Sequence, residues 1–514
     1  MSKTIIIIGA GLAGLSAALQ AAENGCNVKL VSSLPSERAQ SVMAEGGINA
    51  ALNTKDENDS PEEHFTDTIK AACGLADPNA VWGMTQAAPE LVHWLLKLGV
   101  KFNMSGYDDV DLRNFGGQKK KRTAFAQSDT GKQIMTAMID AVRRKEASGM
   151  VERFSHHSFL TLRLCGNICC GCVIRDEYSQ ETVELPGDAV IVATGGMHGL
   201  FGNTTGSLSN TGEVTAELFW LGVPLANGEM IQYHPTTVKC GGKRMLISEA
   251  ARGEGGRLFA MKDGKQWYFM EEKYPELGNL MPRDITAREI WKVSHESEVF
   301  LDMTEISEEI ISNKLSGLAD DCMTYLHKDI RKEPVSVLPG IHYFMGGILV
   351  DEQHRTPIQN LYAAGECCAQ YHGANRLGGN SLLGALYGGR VAAKSACEQA
   401  DVVDLSCATQ IDFPPASQIS EIKQLNKVMQ ETMGVVRNEN TLLNGIQTVQ
   451  ALTGNLPLLG MAVLKSALAR KESRGAHWRE DYPKSNDDDY LKTTVARFDG
   501  KQIQISFVPV PERR

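Results

Sequence analysis

The side-chain types needed to grip a small dianion recur in four glycine- or proline-flanked runs. His234 lies in Gln232-Tyr233-His234-Pro235-Thr236 and Arg283 in Pro282-Arg283-Asp284. His342 opens His342-Tyr343-Phe344-Met345-Gly346-Gly347, and Arg376 lies in His372-Gly373-Ala374-Asn375-Arg376-Leu377-Gly378. Arginine offers forked donors and histidine one directed donor, so two of each suit a site that holds two carboxylates. Glu249 and Arg252, in Ser248-Glu249-Ala250-Ala251-Arg252-Gly253, share a face if they sit on one helical turn. Each residue alone has an ordinary reading, as a surface ion pair or a satisfied structural histidine. Only the set points to chemistry.

Such residues need a scaffold and a reactive group. Gly9, Gly11 and Gly14 form G-x-G-x-x-G between an apolar run, Lys3–Ile8, and an Ala/Leu-rich stretch to about Glu23. Gly25 ends that helix and Val28–Val31 reads as a second strand. In this βαβ start the first glycine allows a tight turn. The second admits a pyrophosphate at the helix N-terminus, and the third lets helix pack on strand. A simple NAD site would place an acid after the second strand, but the sequence reads Ser32-Ser33. The runs Ala193-Thr194-Gly195-Gly196 and Ala364-Gly365-Glu366 suit a longer ligand such as FAD. Glu366 is placed for a ribityl or ribose hydroxyl, with a helix-start carboxylate as its alternative.

A chain of 514 residues exceeds one core and predicts two or three domains. Asp188–Thr194 and the strand at Leu361 repeat the buried-strand pattern, and one sheet can recruit them if a large insertion separates them. The insertion carries an amphipathic helix after Pro282. Beyond residue 410, Ile419–Met433 and Thr441–Arg470 read as helices and Gln502–Val510 as a strand. The net charge of −10 argues against a nucleic-acid surface, and no stretch reaches the ~20 apolar residues of a membrane span. The run Ile5–Ile8 enters a glycine turn and is not a signal-peptide core. Twelve cysteines read as reduced cytoplasmic thiols. Cys165, Cys169, Cys170 and Cys172 lack iron–sulfur spacing and read as a hairpin around Gly166-Asn167, so no metal site is expected.

These motifs together resemble the flavoprotein subunits of fumarate reductase and succinate dehydrogenase, with L-aspartate oxidase a close cousin. The resemblance covers nearly the whole chain. It includes Gly9–Gly14, Ala44-Glu45-Gly46-Gly47, Phe115-Gly116-Gly117, Thr123-Ala124-Phe125-Ala126, Arg252-Gly253-Glu254-Gly255-Gly256 and Glu472-Ser473-Arg474-Gly475-Ala476-His477, besides the four runs above. The implied architecture is α/β: a Rossmann-like FAD-binding domain over residues 1–233 and 349–410, interrupted by an α+β capping domain over 234–348. A C-terminal helical domain over 411–514 follows.

The implied activity is reduction of fumarate to succinate. In it N5 of reduced FAD gives hydride to one carbon and Arg283 a proton to the other, with Glu249 and Arg252 reprotonating Arg283. His234, Ser248, His342 and Arg376 would bind the carboxylates, and Phe115 would pack on the substrate. The expected FAD contacts are Gly9, Gly11, Gly14, Ser33, Ser41, Gly46, Gly47, Thr194, Gly195, Glu366 and Ser381. One departure stands out. Where many members carry a flavin-linking histidine, this chain reads Ala39-Gln40-Ser41-Val42, so FAD is expected to be non-covalent. In this family the missing bond favours fumarate reduction over succinate oxidation. It also leaves L-aspartate oxidase open, against which Phe115-Gly116-Gly117 argues. Without a cluster motif of its own, the chain is expected to take electrons from an iron–sulfur protein subunit. The expected location is cytoplasmic, with any membrane association made through partner subunits.

Overall fold

Four consecutive isoleucines, Ile5–Ile8, have no polar face, and a strand of that kind is stable only at the centre of a sheet covered on both sides. In the computed structural model they form Thr4–Ile8. The structure describes residues 2–106, 109–400 and 418–514. Thr4–Ile8 lies between Ala189–Val192 and Asn27–Ser32, with Leu361–Ala363 and Val151–Ser155 outside them. All four pairings are parallel. The three apolar strands that lie far apart in sequence thus join one sheet.

The glycine turn leads into helix Leu12–Glu23, and Gly25, at φ +78°, releases the chain into the second strand. Helix Asn380–Gln399 packs on Leu12–Glu23, with the Ser16 hydroxyl donating to the Leu386 carbonyl at 2.7 Å. Both helices start at the same end of the sheet, where a ligand meets their N-termini.

The insertion is built on two antiparallel sheets. One pairs Ile231–Cys240 with Lys243–Leu246 and Leu338–Phe344. The other orders Lys265–Trp267, Arg257–Lys262, Val299–Asp302 and Val335–Ser336. The helix expected after Pro282 spans Arg283–Val293. In the C-terminal region Ile419–Thr432 is a helix. The long periodic stretch from Thr441 is two helices, Glu439–Val449 and Asn455–Ala469, broken where Gly454 adopts φ 110°. The closing strand, Ile503–Pro509, pairs with Lys492–Phe498. The latter pairs with Leu225–Ala226. The boundary expected at 410/411 lies outside the described residues.

The cysteine cluster is the hairpin His157–Cys165 with Ile168–Asp176. Cys169, Cys170 and Cys172 are free and buried. Cys165 is disulfide-bonded, which corrects the reading of every cysteine as a reduced thiol.

Candidate active site

A cavity of about 640 Å³ opens where the ends of the parallel sheet meet the insertion. The sheet turns and neighbouring loops contribute Gly9, Gly11, Ser33, Ser41, Gly46, Gly47, Thr194, Gly195, Glu366 and Ser381. Phe115, His234, Ser248, Glu249, Arg283, His342 and Arg376 line the same cavity. Of the residues expected at the site, Gly14 and Arg252 do not line it. Gly14 lies behind the turn, where an added Cβ would strike the Gly9 carbonyl, so its hydrogen lets helix and strand touch. Arg252 lies behind Glu249.

The sheet side fits FAD. Helix Leu12–Glu23 begins at Gly11 with no side chain capping it from that position, which leaves amides of its first turn, Leu12 N–H aside, to an anion. The Ser41 hydroxyl meets Leu12 N–H at 3.3 Å. A Cβ on Gly9 would strike the Ala193 carbonyl, so the two glycine turns pack backbone on backbone. The buried Ser32 hydroxyl has no partner and faces the cavity where an adenosine ribose acid is missing.

The other side is a concentration of buried donors. Arg283, the first residue of its helix, meets Glu249 Oε2 through Nε at 2.8 Å and Nη2 at 2.5 Å. Its Nη1 donates to Gln232 Oε1 at 3.0 Å. An arginine has five N–H donors and these bonds use three, so two N–H groups remain for a ligand. Glu249 Oε1 accepts Gly116 N–H at 2.9 Å and stands 3.6 Å from Arg252 Nη2. Gly116 has no room for a Cβ, which would lie 2.5 Å from that oxygen. Burial disfavours the Glu249 carboxylate, but Arg283 and Arg252 outweigh it and hold the group below its ordinary value. Arg252 anchors to the Asn279 carbonyl at 2.6 Å, while its Nε and Nη2 lack partners.

Arg376 is buried, and among the described residues no carboxylate stands within ion-pair distance of it. Its guanidinium lies 4.3 Å over the Tyr343 ring, and its Nε has no hydrogen-bond partner. Burial and then the Arg283 charge push it down to about 9. His234 and His342 face each other, ring centres 5.1 Å apart. Burial first, then neighbouring cations, hold both well below the ordinary histidine value. His234 Nδ1 is held at the Thr236 carbonyl, 3.0 Å away, and His342 Nδ1 at the Thr205 hydroxyl, 2.8 Å away. Fixing Nδ1 sets each ring's orientation. Desolvation and then Asp321 push the Glu45 carboxyl up to about 8, which favours its neutral form at neutral pH. The Arg252, Arg283 and Arg376 guanidiniums around Glu249 leave this side of the cavity electropositive. Phe115 forms an apolar wall beside Gly46 and Gly378, where Cβ atoms would lie 2.8 and 3.0 Å from its side chain.

Three polar residues, Gln232, Asn375 and Thr205, have a part in the site that residue order did not assign them. Gln232 accepts from Arg283 and donates to Asn375 Oδ1 at 2.9 Å and to the Arg376 carbonyl at 2.8 Å, so it ties the two arginines together. Its signal was available: Gln232 and His234 alternate along strand Ile231–Cys240 and so share a face. Asn375 Nδ2 also reaches Asp284 Oδ1 at 3.0 Å. Thr205 gave no sequence signal; it meets His342 only through tertiary packing.

Comparison with known proteins matches a family model described as "FAD binding domain" over residues 4–382 and one described as "Fumarate reductase flavoprotein C-term" over 452–513. The chain is 38% identical to the succinate dehydrogenase flavoprotein subunit of Bacillus subtilis, over all of this chain and 98% of that one. It is 32% identical to an L-aspartate oxidase of Pyrococcus furiosus, over 94% of this chain and 97% of that one. Its structure superposes on that of a quinol fumarate reductase chain from E. coli with a TM-score of 0.90 at 28% identity, covering 99% and 97% of the two chains.

Proposed function

Since the chain belongs to the succinate dehydrogenase and fumarate reductase flavoprotein family and is an FAD-dependent oxidoreductase, we propose that it is a fumarate reductase flavoprotein subunit. The observation that carries this reading is the pair Arg283 and Arg376. Two buried guanidiniums face one cavity, and among the described residues no carboxylate stands within ion-pair distance of Arg376. A dicarboxylate supplies the missing charge.

In this reading Arg376, His234, His342 and the Ser248 hydroxyl hold the two carboxylates, and Phe115 covers the apolar centre of the substrate. Bound FAD, once reduced, supplies the hydride from N5. Arg283 gives a proton through one of its two uncommitted N–H groups to the other olefinic carbon. Glu249, in contact with Arg283, and Arg252 behind it return that proton. Hydride addition builds charge on the substrate carboxylate, so the buried donors bind the transition state more tightly than fumarate.

Gln40 lines the cavity and has no nucleophilic ring nitrogen, which supports non-covalent FAD. Electrons come from an iron–sulfur protein subunit. Among the described residues no helix is long and apolar enough to cross a membrane, so membrane association, where it occurs, runs through partner subunits. The division into a discontinuous FAD-binding domain, a capping domain and a C-terminal domain belongs to the same proposal.

Two other readings have specific support. The 38% identity to a succinate dehydrogenase subunit supports the reverse reaction, which the same groups perform. The L-aspartate oxidase relative supports amino-acid oxidation. Against it, Phe115 offers no acceptor for an ammonium group, and Glu249 is committed to Arg283 and Gly116. The test is anaerobic. The purified chain is supplied with reduced viologen and fumarate, then with succinate and a dye acceptor, then, oxidised, with L-aspartate. Viologen oxidation faster than dye reduction, with no flavin bleaching by aspartate, is expected. Bleaching by aspartate overturns the assignment.

A further inference from the structure

His198 is buried to 0% exposure and has no part in the chemistry above. It lies at the joint of three pieces of the site. Its Nε2 stands 3.4 Å from Glu366 Oε1 without a hydrogen-bond partner of its own. The same Glu366 oxygen accepts Phe344 N–H at 3.1 Å, and the His198 ring meets Phe344 edge-on, centres 5.0 Å apart. On its other side His198 Nδ1 contacts the Thr204 hydroxyl at 3.1 Å. Gly206 lies flush on the ring, with no room for a Cβ.

Both neighbours lead to His342. Phe344 lies two residues from His342 on strand Leu338–Phe344, whose pairing with Ile231–Cys240 is irregular between Ile341 and Tyr343. Thr204 precedes Thr205, whose hydroxyl holds His342 Nδ1 at 2.8 Å. Thr205 N–H also bonds the Ile341 carbonyl at 2.9 Å. A buried imidazole with an unsatisfied nitrogen is costly, and here that nitrogen points at a carboxylate on the cavity wall.

We propose that His198 is a positioning residue with one end on the Glu366 carboxylate that receives FAD and the other on the 204–205 turn that orients His342. The inference rests on the FAD and dicarboxylate reading given above. Loss of His198 therefore loosens both ligands while leaving the proton donor untouched.

The test uses the full chain. FAD affinity is measured by titrating apoprotein, and fumarate affinity on oxidised holoprotein, where no turnover occurs. KM and kcat follow with reduced viologen. For His198→Ala the FAD dissociation constant and the fumarate KM each rise by roughly tenfold, about 1.4 kcal/mol at each ligand. Its kcat at saturation stays within about threefold. His198→Gln, which keeps a donor, recovers part of both. Thr204→Val cuts only the second link and raises the fumarate KM without weakening FAD; it also serves if His198→Ala does not fold. A fall in kcat at unchanged KM, or weakened FAD with normal fumarate affinity, overturns the proposal. Failure of the unsubstituted chain to bind fumarate is a different result: it removes the parent reading.

Discussion

Arg283 meets Glu249 through two nitrogens, Nε at 2.8 Å and Nη2 at 2.5 Å, and both bonds end on the single oxygen Oε2. The other oxygen, Oε1, is left to Gly116 N–H at 2.9 Å and faces Arg252 at 3.6 Å. One carboxylate thus separates a cation at the cavity wall from a cation behind it, an arrangement suited to passing a proton inward. Glu249→Gln keeps the shape and removes the proton-carrying oxygen. We expect FAD to be retained and fumarate reduction to fall by on the order of 100-fold or more, with KM changed far less. Stopped-flow reoxidation of the reduced flavin by fumarate measures this, and a wild-type rate would exclude the relay.

Arg283→Lys keeps the charge but not the fork that reaches Glu249 and Gln232 together. FAD binding should persist and most fumarate reduction should be lost. Near-normal turnover in this variant would take Arg283 out of the mechanism.

Arg376 is a buried charge with no carboxylate within ion-pair distance among the described residues, so removing it should stabilise the ligand-free protein while abolishing its function. Arg376→Met is expected to raise stability by about 1 kcal/mol or more. It should also eliminate the thermal shift that fumarate produces in the parent. Differential scanning fluorimetry with and without fumarate reads both effects, and a lower melting temperature in the variant would count against this electrostatic account.

His234 and His342 lie well below the ordinary histidine value, so both are neutral in the free protein. The unfolded chain then binds more protons than the folded one below about pH 6.5, and ligand-free stability falls as pH drops through that value. A bound dianion favours the imidazolium forms, so binding takes up protons. Fumarate affinity should strengthen as pH falls from about 8 to about 6. Calorimetry in buffers of different ionisation enthalpy checks it, and proton release on binding would refute it.

Gln40 lines the cavity and cannot bond covalently to the flavin. Acid precipitation should therefore release all of the FAD into the supernatant. Fluorescence that stays with the precipitated chain would show another attachment.

Several features were legible from residue order because their causes are local. Four isoleucines demand a buried strand, G-x-G-x-x-G after a strand demands a turn that admits a phosphate, and Pro282 marks the start of the helix carrying Arg283. The long apolar periodicity after Thr441 did not reveal its break. Helical spacing continues on both sides of the connection from Gln450 to Gly454, where the first helix ends at Val449 and Gly454 at φ 110° starts the second. Gln232 shares a strand face with His234 by alternation, but its bond to Arg283 joins separate elements, which residue order does not show.

The sequence by itself determined the residue types: glycines where a ligand meets backbone, arginines and histidines for an anion, and glutamine in place of a linking histidine. It could do so because turn geometry and donor chemistry belong to single residues and their neighbours. Tertiary structure alone decided which donors remain free. Arg283 spends three N–H groups on residues 34 and 51 positions away, whereas among the described residues Arg376 has no carboxylate within ion-pair distance, Glu366 and Glu249 acting on it only from further off. Whether a buried charge is satisfied depends on every element packed around it, and no local pattern contains that sum.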